Sequence, residues 1–331
     1  MPERELRDSY GRTIGDLRIS ITDRCNFRCT YCIPVENIEW KPRSEILTYE
    51  EILRLTRIFA RFGIRKLRVT GGEPLLRPQA SSLIRRLSGI EGIEDLSLTT
   101  NGKLLPAFAS ELKASGVRRI NISLDSLRHD RFFAMTRRDA LRDVLEGIRA
   151  AADAGFAPIK INAVVIRGVN DDEIESFASF SRETGHTVRF IEFMPLDSGH
   201  QWTMEQVVSG GEIFDRLRAA FPLVQLPRRS ESETAVRWGF EDSCGEIGII
   251  APVTAPFCGN CNRIRLTADG KLRTCLFSLV EHDLKTPLRG GASDEEMMER
   301  IGAMVLTKEA GHRINRQDFV KPERTMSCIG G

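Results

Sequence analysis

Cys25, Cys29 and Cys32 stand at C-x3-C-x2-C spacing in a loop that follows an alternating apolar run, Leu17-Arg18-Ile19-Ser20-Ile21. Thiolates at that density hold iron–sulfur clusters or soft metals. Three ligands with no adjacent fourth leave one coordination position open, as in centres that react; structural sites are usually closed. A structural zinc or a disulfide is the plainer alternative. Three cysteines in one short loop cannot all pair with each other, and no export signal argues for oxidation.

A second group, Cys258, Cys261 and Cys275, has C-x2-C-x13-C spacing. A hairpin over 263–273, turning at Ala268-Asp269-Gly270, would return the third thiol to the first two. Spacing alone leaves two readings open. One is a zinc ribbon short of a cysteine, with Cys244 or His282 as fourth ligand. The other is a second cluster with an open iron. Arg263 and Arg265 lie two apart on the strand that leaves this knuckle, so both face one way. They form either a phosphate clamp, since guanidinium pairs phosphate bidentately, or a solvated strand face. Lys160 and Asn162 also share a strand face. A buried lysine there calls for a counter-charge, from an anionic ligand or an internal carboxylate.

The remaining composition excludes several classes. The chain has 331 residues, 41% hydrophobic, enough for a large core. Its net charge of +2 and 7% aromatic content give no global nucleic-acid signature. No 18-residue apolar run suggests a membrane span, and the charged N-terminus lacks an apolar signal segment. A cytoplasmic location is the expectation. Eight cysteines without an export signal point to metal ligation in a reducing compartment.

Strand and helix alternate along the first two thirds of the chain. Strands are expected at 17–21, 66–70, 93–99, 118–124, 159–166 and 188–194. Helices are expected after Thr48, whose capping box with Glu51 marks an N-terminus, then near 78–88, 104–115, 139–154 and 173–184. Six such units demand parallel strands with crossover helices, as an open doubly wound sheet or a curved partial barrel. In either case ligands gather at the carboxyl ends of the strands. The fold expected is α/β, a partial (βα)6 TIM-like barrel over 1–230. A C-terminal region, 231–331, carries the second cysteine group, a helix near 294–307 and a glycine-ended tail.

The first cysteine loop, with Tyr31 before its last cysteine, resembles the signature of the radical S-adenosylmethionine superfamily. Gly71-Gly72-Glu73-Pro74 resembles that superfamily's motif for the methionine amino group. Cys258, Cys261, Cys275, Arg263, Arg265 and the terminal Gly330-Gly331 narrow the resemblance to the GTP 3′,8-cyclases of molybdenum cofactor biosynthesis, over nearly the whole chain.

That resemblance implies two [4Fe–4S] clusters, on Cys25, Cys29 and Cys32 and on Cys258, Cys261 and Cys275. It implies S-adenosylmethionine against Tyr31, Gly72, Ser123 and Met194. GTP would lie against Arg18, Arg68, Thr99, Lys160, Arg263, Ile264 and Arg265, with Gly330 and Gly331 reaching into the site. No G-x4-G-K-[ST] loop is present, so a side-chain clamp must hold the triphosphate. The implied reaction cleaves S-adenosylmethionine reductively and takes hydrogen from C3′ of GTP. It then joins C3′ to C8, giving (8S)-3′,8-cyclo-7,8-dihydro-GTP, methionine and 5′-deoxyadenosine. The catalytic groups are then the clusters and S-adenosylmethionine themselves. Implied partners are an unidentified electron donor and, downstream, cyclic pyranopterin monophosphate synthase; the sequence leaves a homodimer open. Two competing readings are a peptide-modifying radical enzyme with an auxiliary cluster and a zinc-stapled nucleic-acid-binding module. The cations Lys160, Arg263 and Arg265 suit a triphosphate and have no evident use against a peptide thioether.

Overall fold

The structure is a computed structural model that describes residues 5–33, 40–197, 201–242 and 244–330. Its elements run β1 (Asp16–Ser20), α1 (Tyr49–Arg61), β2 (Lys66–Thr70), α2 (Ala80–Ser88), β3 (Asp95–Thr100), α3 (Leu105–Ala114), β4 (Arg119–Ser123), α4 (His129–Thr136), α5 (Leu141–Asp153), β5 (Lys160–Val165), α6 (Ile174–Thr184) and β6 (Thr187–Glu192). The C-terminal third adds α7 (Gly210–Ala220), β7 (Leu223–Leu226), β8 (Val236–Phe240), β9 (Glu246–Ile250), β10 (Arg263–Leu266), β11 (Lys271–Arg273), β12 (His282–Asp283), α8 (Lys285–Arg289), α9 (Asp294–Leu306) and α10 (Met326–Ile329). Among the described residues no helix is long and apolar enough to cross a membrane.

All twelve strands share one sheet, in the order β12-β11-β10-β1-β2-β3-β4-β5-β6-β9-β8-β7. The six parallel strands expected from the sequence are its centre. The structure extends them at both sides with parallel strands from the C-terminal third. β10 pairs with β1, Arg265 opposite Arg18, and β9 pairs with β6, Gly248 opposite Arg189. The hairpin of β10 and β11 is as the sequence predicts. α4 falls where only a loop was expected.

The two faces of this sheet differ in chemistry. Leu17, Ile19, Leu67, Val69, Leu98, Ile120, Ile161, Phe190, Ile249 and Ile264 point outward and are buried with helix residues such as Ile52, Phe59, Leu83, Leu112, Ile148 and Phe177. Each such side chain contributes about 1.5–3 kcal/mol by leaving water. The alternate residues, among them Arg18, Arg68, Arg119, Lys160, Asn162, Arg189 and Arg265, turn inward and line a cavity. Because side chains alternate with period two, the same register that buries the aliphatic set must present the charged set inside. A doubly wound sheet needs both faces apolar. This sheet has one apolar face, and the curved partial barrel satisfies that pattern.

The helices are held by local signals. Thr48 Oγ1 accepts from Glu51 N at 3.1 Å while Glu51 accepts from Thr48 N at 2.7 Å, the predicted capping box. The same device starts α9, between Ser293 and Glu296. α1 gives way to Gly63, whose φ of 83° suits a residue without Cβ.

Candidate active site

A cavity of about 590 Å³ runs inside the curved sheet. Both cysteine groups line it: Cys25, Cys29 and Cys32 on the loop after β1, and Cys258, Cys261 and Cys275 around the start of β10 and the end of β11. All six are free thiols. Sequence spacing could not show that the two groups share one space.

The loop after β1 is positioned by the motif after β2. Gly72 N donates to Thr22 O and Glu73 N to Arg24 O, both at 2.7 Å. A Cβ on Gly72 would stand 2.2 Å from Arg24 O, and one on Gly71 2.7 Å from Thr22 O, so only glycine admits the cysteine loop at this distance. Glu73 is fully buried and accepts from Thr100 Oγ1 at 2.8 Å and Asn101 N at 2.7 Å. Burial lifts its carboxyl to about 7, although these donors and Leu75 N oppose the shift. Asn101 in turn donates to Asn26 Oδ1 at 2.6 Å, beside Cys25. The glycine motif, the end of β3 and the cysteine loop therefore form one hydrogen-bonded unit.

Tyr31 donates to Asp125 Oδ2 at 2.5 Å, and Asp125 also accepts from Val164 N. Burial raises Asp125 to about 6 and, with the Asp125 charge, pushes the Tyr31 hydroxyl well above its ordinary value. Tyr31, Gly72, Ser123 and Met194 all line the cavity.

The two thiol groups sit in different fields. Burial and the Glu73 carboxylate raise Cys25 to about 11, and burial with the neighbouring thiols raises Cys29. Burial also opposes the Cys261 thiolate, but Arg263 and Lys308 outweigh it and bring that thiol down to about 7. Thiols that raise one another's pKa need a shared cation to be held as thiolates, which an iron–sulfur cluster provides. No three His, Cys, Asp or Glu among the described residues converge closely enough for a single metal ion. Cys244 is exposed, and His282, on β12, bonds Thr307 Oγ1; neither lines the cavity. Neither fourth ligand that the sequence offered for a zinc ribbon therefore stands with Cys258, Cys261 and Cys275 in the cavity.

Between the thiol groups the cavity wall is cationic. Arg18, Arg68, Lys160, Arg189, Arg263 and Arg265 all face it. Among the described residues the buried Nε atoms of Arg18, Arg68, Arg189 and Arg263 have no hydrogen-bond partner, nor has Thr99 Oγ1. Burial, then the Arg189, Arg119, Arg229 and Arg68 charges, bring Lys160 down to about 7. The internal carboxylate partner that the sequence left open for Lys160 is not found within 4 Å among the described residues. Buried, mutually repelling guanidiniums with idle Nε donors favour an anionic ligand.

Ile264 behaves differently from its neighbours. Its side chain is fully buried in the core on the far side of β10 and does not line the cavity, as strand alternation requires. Arg189 was not singled out from the sequence. It faces the cavity beside Asn162, and donates to Asn121 Oδ1 at 2.5 Å. The alternation Val188-Arg189-Phe190 was the signal for it.

The tail enters the same region. Arg324 pairs with Asp269 through two bonds of 2.9 and 2.7 Å and with Glu281 at 2.9 Å; Lys321 pairs with Asp197 at 2.6 Å. Met326 and Ser327 line the cavity, and Gly330 O accepts from Arg265 Nη1. A Cβ on Gly330 would meet Thr70 Cγ2 at 2.8 Å. Gly331 lies outside the described residues.

Comparison with known proteins fits this geometry. The Radical SAM superfamily model matches residues 19–181, and the Molybdenum Cofactor Synthesis C model matches 186–314. A GTP 3′,8-cyclase of Rhodopirellula baltica is 48% identical over 331 residues, covering 98% of this chain and 92% of that protein. A GTP 3′,8-cyclase of Streptomyces coelicolor is 46% identical, covering 98% and 96%. The chain belongs to the GTP 3′,8-cyclase family. The boundary between the two matched regions falls at the last turn of α6, before β6, yet the sheet runs across it without a break. The crystal structure of Streptococcus suis SuiB bound to S-adenosylmethionine has a TM-score of 0.63 at 13% identity, covering 96% of this chain and 77% of that one. That likeness is one of fold, the partial barrel of radical S-adenosylmethionine proteins.

Proposed function

We propose that this chain converts GTP to (8S)-3′,8-cyclo-7,8-dihydro-GTP with release of methionine and 5′-deoxyadenosine, the first step of molybdenum cofactor biosynthesis. The observation that carries the reading is the pairing of two thiol groups with an idle cationic wall in one cavity. Cys25, Cys29 and Cys32 hold one [4Fe–4S] cluster, and Cys258, Cys261 and Cys275 a second. When bound, the first cluster supplies the one-electron reduction that cleaves S-adenosylmethionine.

The protein's own part is to bind, orient and exclude. Tyr31, Gly72, Ser123 and Met194 surround S-adenosylmethionine. Arg18, Arg68, Lys160 and Arg189 take the triphosphate, their unpaired N–H groups turning a burial cost into binding. Thr99, Arg263, Arg265 and the main chain of Ile264 complete the GTP contacts. Holding C3′ of the ribose against the cleaved cofactor makes hydrogen transfer effectively intramolecular. The tail through Gly330 closes the cavity over the reacting atoms. Region 231–331 thus completes a cavity whose walls the first 230 residues begin.

The test is anaerobic turnover with dithionite, S-adenosylmethionine and GTP deuterated at C3′. The label is expected in 5′-deoxyadenosine, and the nucleotide isomer should separate from GTP by chromatography. Cleavage of S-adenosylmethionine with the deuterium retained in GTP would refute the substrate assignment.

A further inference from the structure

Lys308, just past α9, is only 2% exposed and does not line the cavity. Its Nζ donates to Arg263 O at 3.0 Å and to Thr274 O. Those carbonyls belong to the first residue of β10 and to the residue before Cys275, so the ammonium joins the two strand ends that carry the second thiol group. The residues around it press on the same group. Arg12 donates from Nη1 to Cys258 O at 2.8 Å and Ala310 O at 2.9 Å, and from Nη2 to Glu309 O at 2.5 Å. A Cβ on Gly311 would stand 2.8 Å from Cys258 Cβ and 3.1 Å from its Sγ. Residues 308–311 are therefore packed against the segments that bear Cys258, Cys261 and Cys275.

The two cations of this brace differ in how their charge is met. Arg12 Nε pairs with the buried Asp8 at 2.5 Å. Lys308 has no carboxylate within 4 Å among the described residues, and the adjacent Glu309 turns to Thr274 Oγ1 at 2.8 Å. Two main-chain carbonyls take two of the three N–H groups of Lys308 and leave the charge itself unmatched. An ammonium removed from water without a counter-charge is strongly unfavourable. The anions placed to meet it are the thiolates of the second group. Burial works against the thiolates of Cys261 and Cys275, and the Lys308 charge opposes that burial at both, with Arg263 at Cys261. A triphosphate in the cavity does not serve, because Lys308 lies outside the cavity wall.

We infer that Lys308 is the fixed counter-charge of the cluster on Cys258, Cys261 and Cys275, and that it holds this cluster at a higher reduction potential than the three thiolates alone would give. The inference rests on the reading that these cysteines hold a [4Fe–4S] cluster. An iron–sulfur core on three thiolates is anionic and becomes more so when it gains an electron, so a cation locked beside it favours the reduced form. Lys308 is a positioning residue. By bridging Arg263 O and Thr274 O it sets how far Cys261 and Cys275 stand apart, and its charge acts on the iron through those ligands.

The experiment uses the full-length chain with Cys25→Ala, Cys29→Ala and Cys32→Ala, reconstituted anaerobically with iron and sulfide so that only the second site loads. Its reduction is followed by a redox titration read by electron paramagnetic resonance. Lys308→Gln keeps N–H donors for the carbonyls and removes the charge, while Lys308→Arg keeps the charge. In Lys308→Gln the ratio of reduced to oxidised cluster at a fixed potential should fall about tenfold, a downward shift of about 59 mV for one electron. Lys308→Arg should stay near the parent potential. Before iron is added, Lys308→Gln should resist denaturant at least as well as the parent, because it removes a buried charge that the cluster does not yet offset. A Lys308→Gln chain that loads no cluster while Lys308→Arg loads one also supports the counter-charge. Equal potentials in the parent and Lys308→Gln overturn the inference, and so does a fall of the same size in Lys308→Arg. A parent chain that takes up zinc, or much less than about four iron, refutes the cluster reading itself.

Discussion

Lys160 offers the sharpest test of the anion-binding wall. In the free protein, burial and the surrounding Arg189, Arg119, Arg229 and Arg68 charges hold its ammonium at about 7, and Glu246 only partly offsets them. A triphosphate placed against it favours the charged form, so binding raises its pKa. At pH 8 a group of pKa about 7 is only about one-tenth protonated, so binding should take up roughly 0.9 proton per GTP. The terminal phosphate of GTP, with a pKa of about 6, is already ionised there and contributes little. The sign of the pH dependence follows. Affinity is full below the free pKa and declines as pH rises above 7, by about tenfold per unit, until the bound pKa is reached. Between pH 7 and 9 the fall is roughly 50-fold if the triphosphate lifts Lys160 past 9. The assay is anaerobic calorimetry of GTP binding, without S-adenosylmethionine, in buffers of different ionisation enthalpy at pH 8. Lys160→Met should bind more weakly at pH 7 by about 1.5–3 kcal/mol and show no proton uptake. Binding enthalpy that is independent of the buffer in the wild type, or the same uptake in Lys160→Met, would refute the reasoning.

Three further outcomes are expected. Gly72→Ala would force a methyl group to within 2.2 Å of Arg24 O, so the cysteine loop must shift; denaturant titration should show about 1–3 kcal/mol of lost stability, and iron bound by the first group should drop. Cys261→Ser should reduce iron from about eight to about four per reconstituted chain while S-adenosylmethionine cleavage persists, and colorimetric iron with a zinc assay checks both numbers. Arg324→Met removes both bonds to Asp269, so the C-terminal segment should be cut much faster by trypsin-like protease and GTP cyclisation should fall more than S-adenosylmethionine cleavage; Arg324→Asp with Asp269→Arg should recover part of each. The Arg324 guanidinium helps hold Asp269 at about 2 despite burial, so its support for the tail is present at neutral pH and lost only as pH falls from 3.8 through 2.

The sequence by itself determined the chemistry and most of the local structure. C-x3-C-x2-C at the end of an alternating strand names an open cluster loop, because ligand type and spacing are local quantities. Thr48 and Glu51 mark the start of α1 because a cap involves only neighbouring residues. The period-two pattern of Leu17-Arg18-Ile19 and of Lys160-Ile161-Asn162 already implied one wet face, and the same rule applied at 188–190 would have exposed Arg189. What spacing could not decide was whether Cys258, Cys261 and Cys275 share a cavity with the first loop. That depended on β10 pairing with β1 across more than two hundred residues and on β9 pairing with β6. Pairings at such separation are set by the burial of a shared apolar face, a property of the whole sheet. The same holds for the tail, whose place beside Arg265 rests on ion pairs from Arg324 and Lys321 to Asp269 and Asp197 that no local pattern announces. The sequence therefore names the candidate groups, and only the tertiary structure brings two thiol groups, a cationic wall and the tail through Gly330 to one cavity.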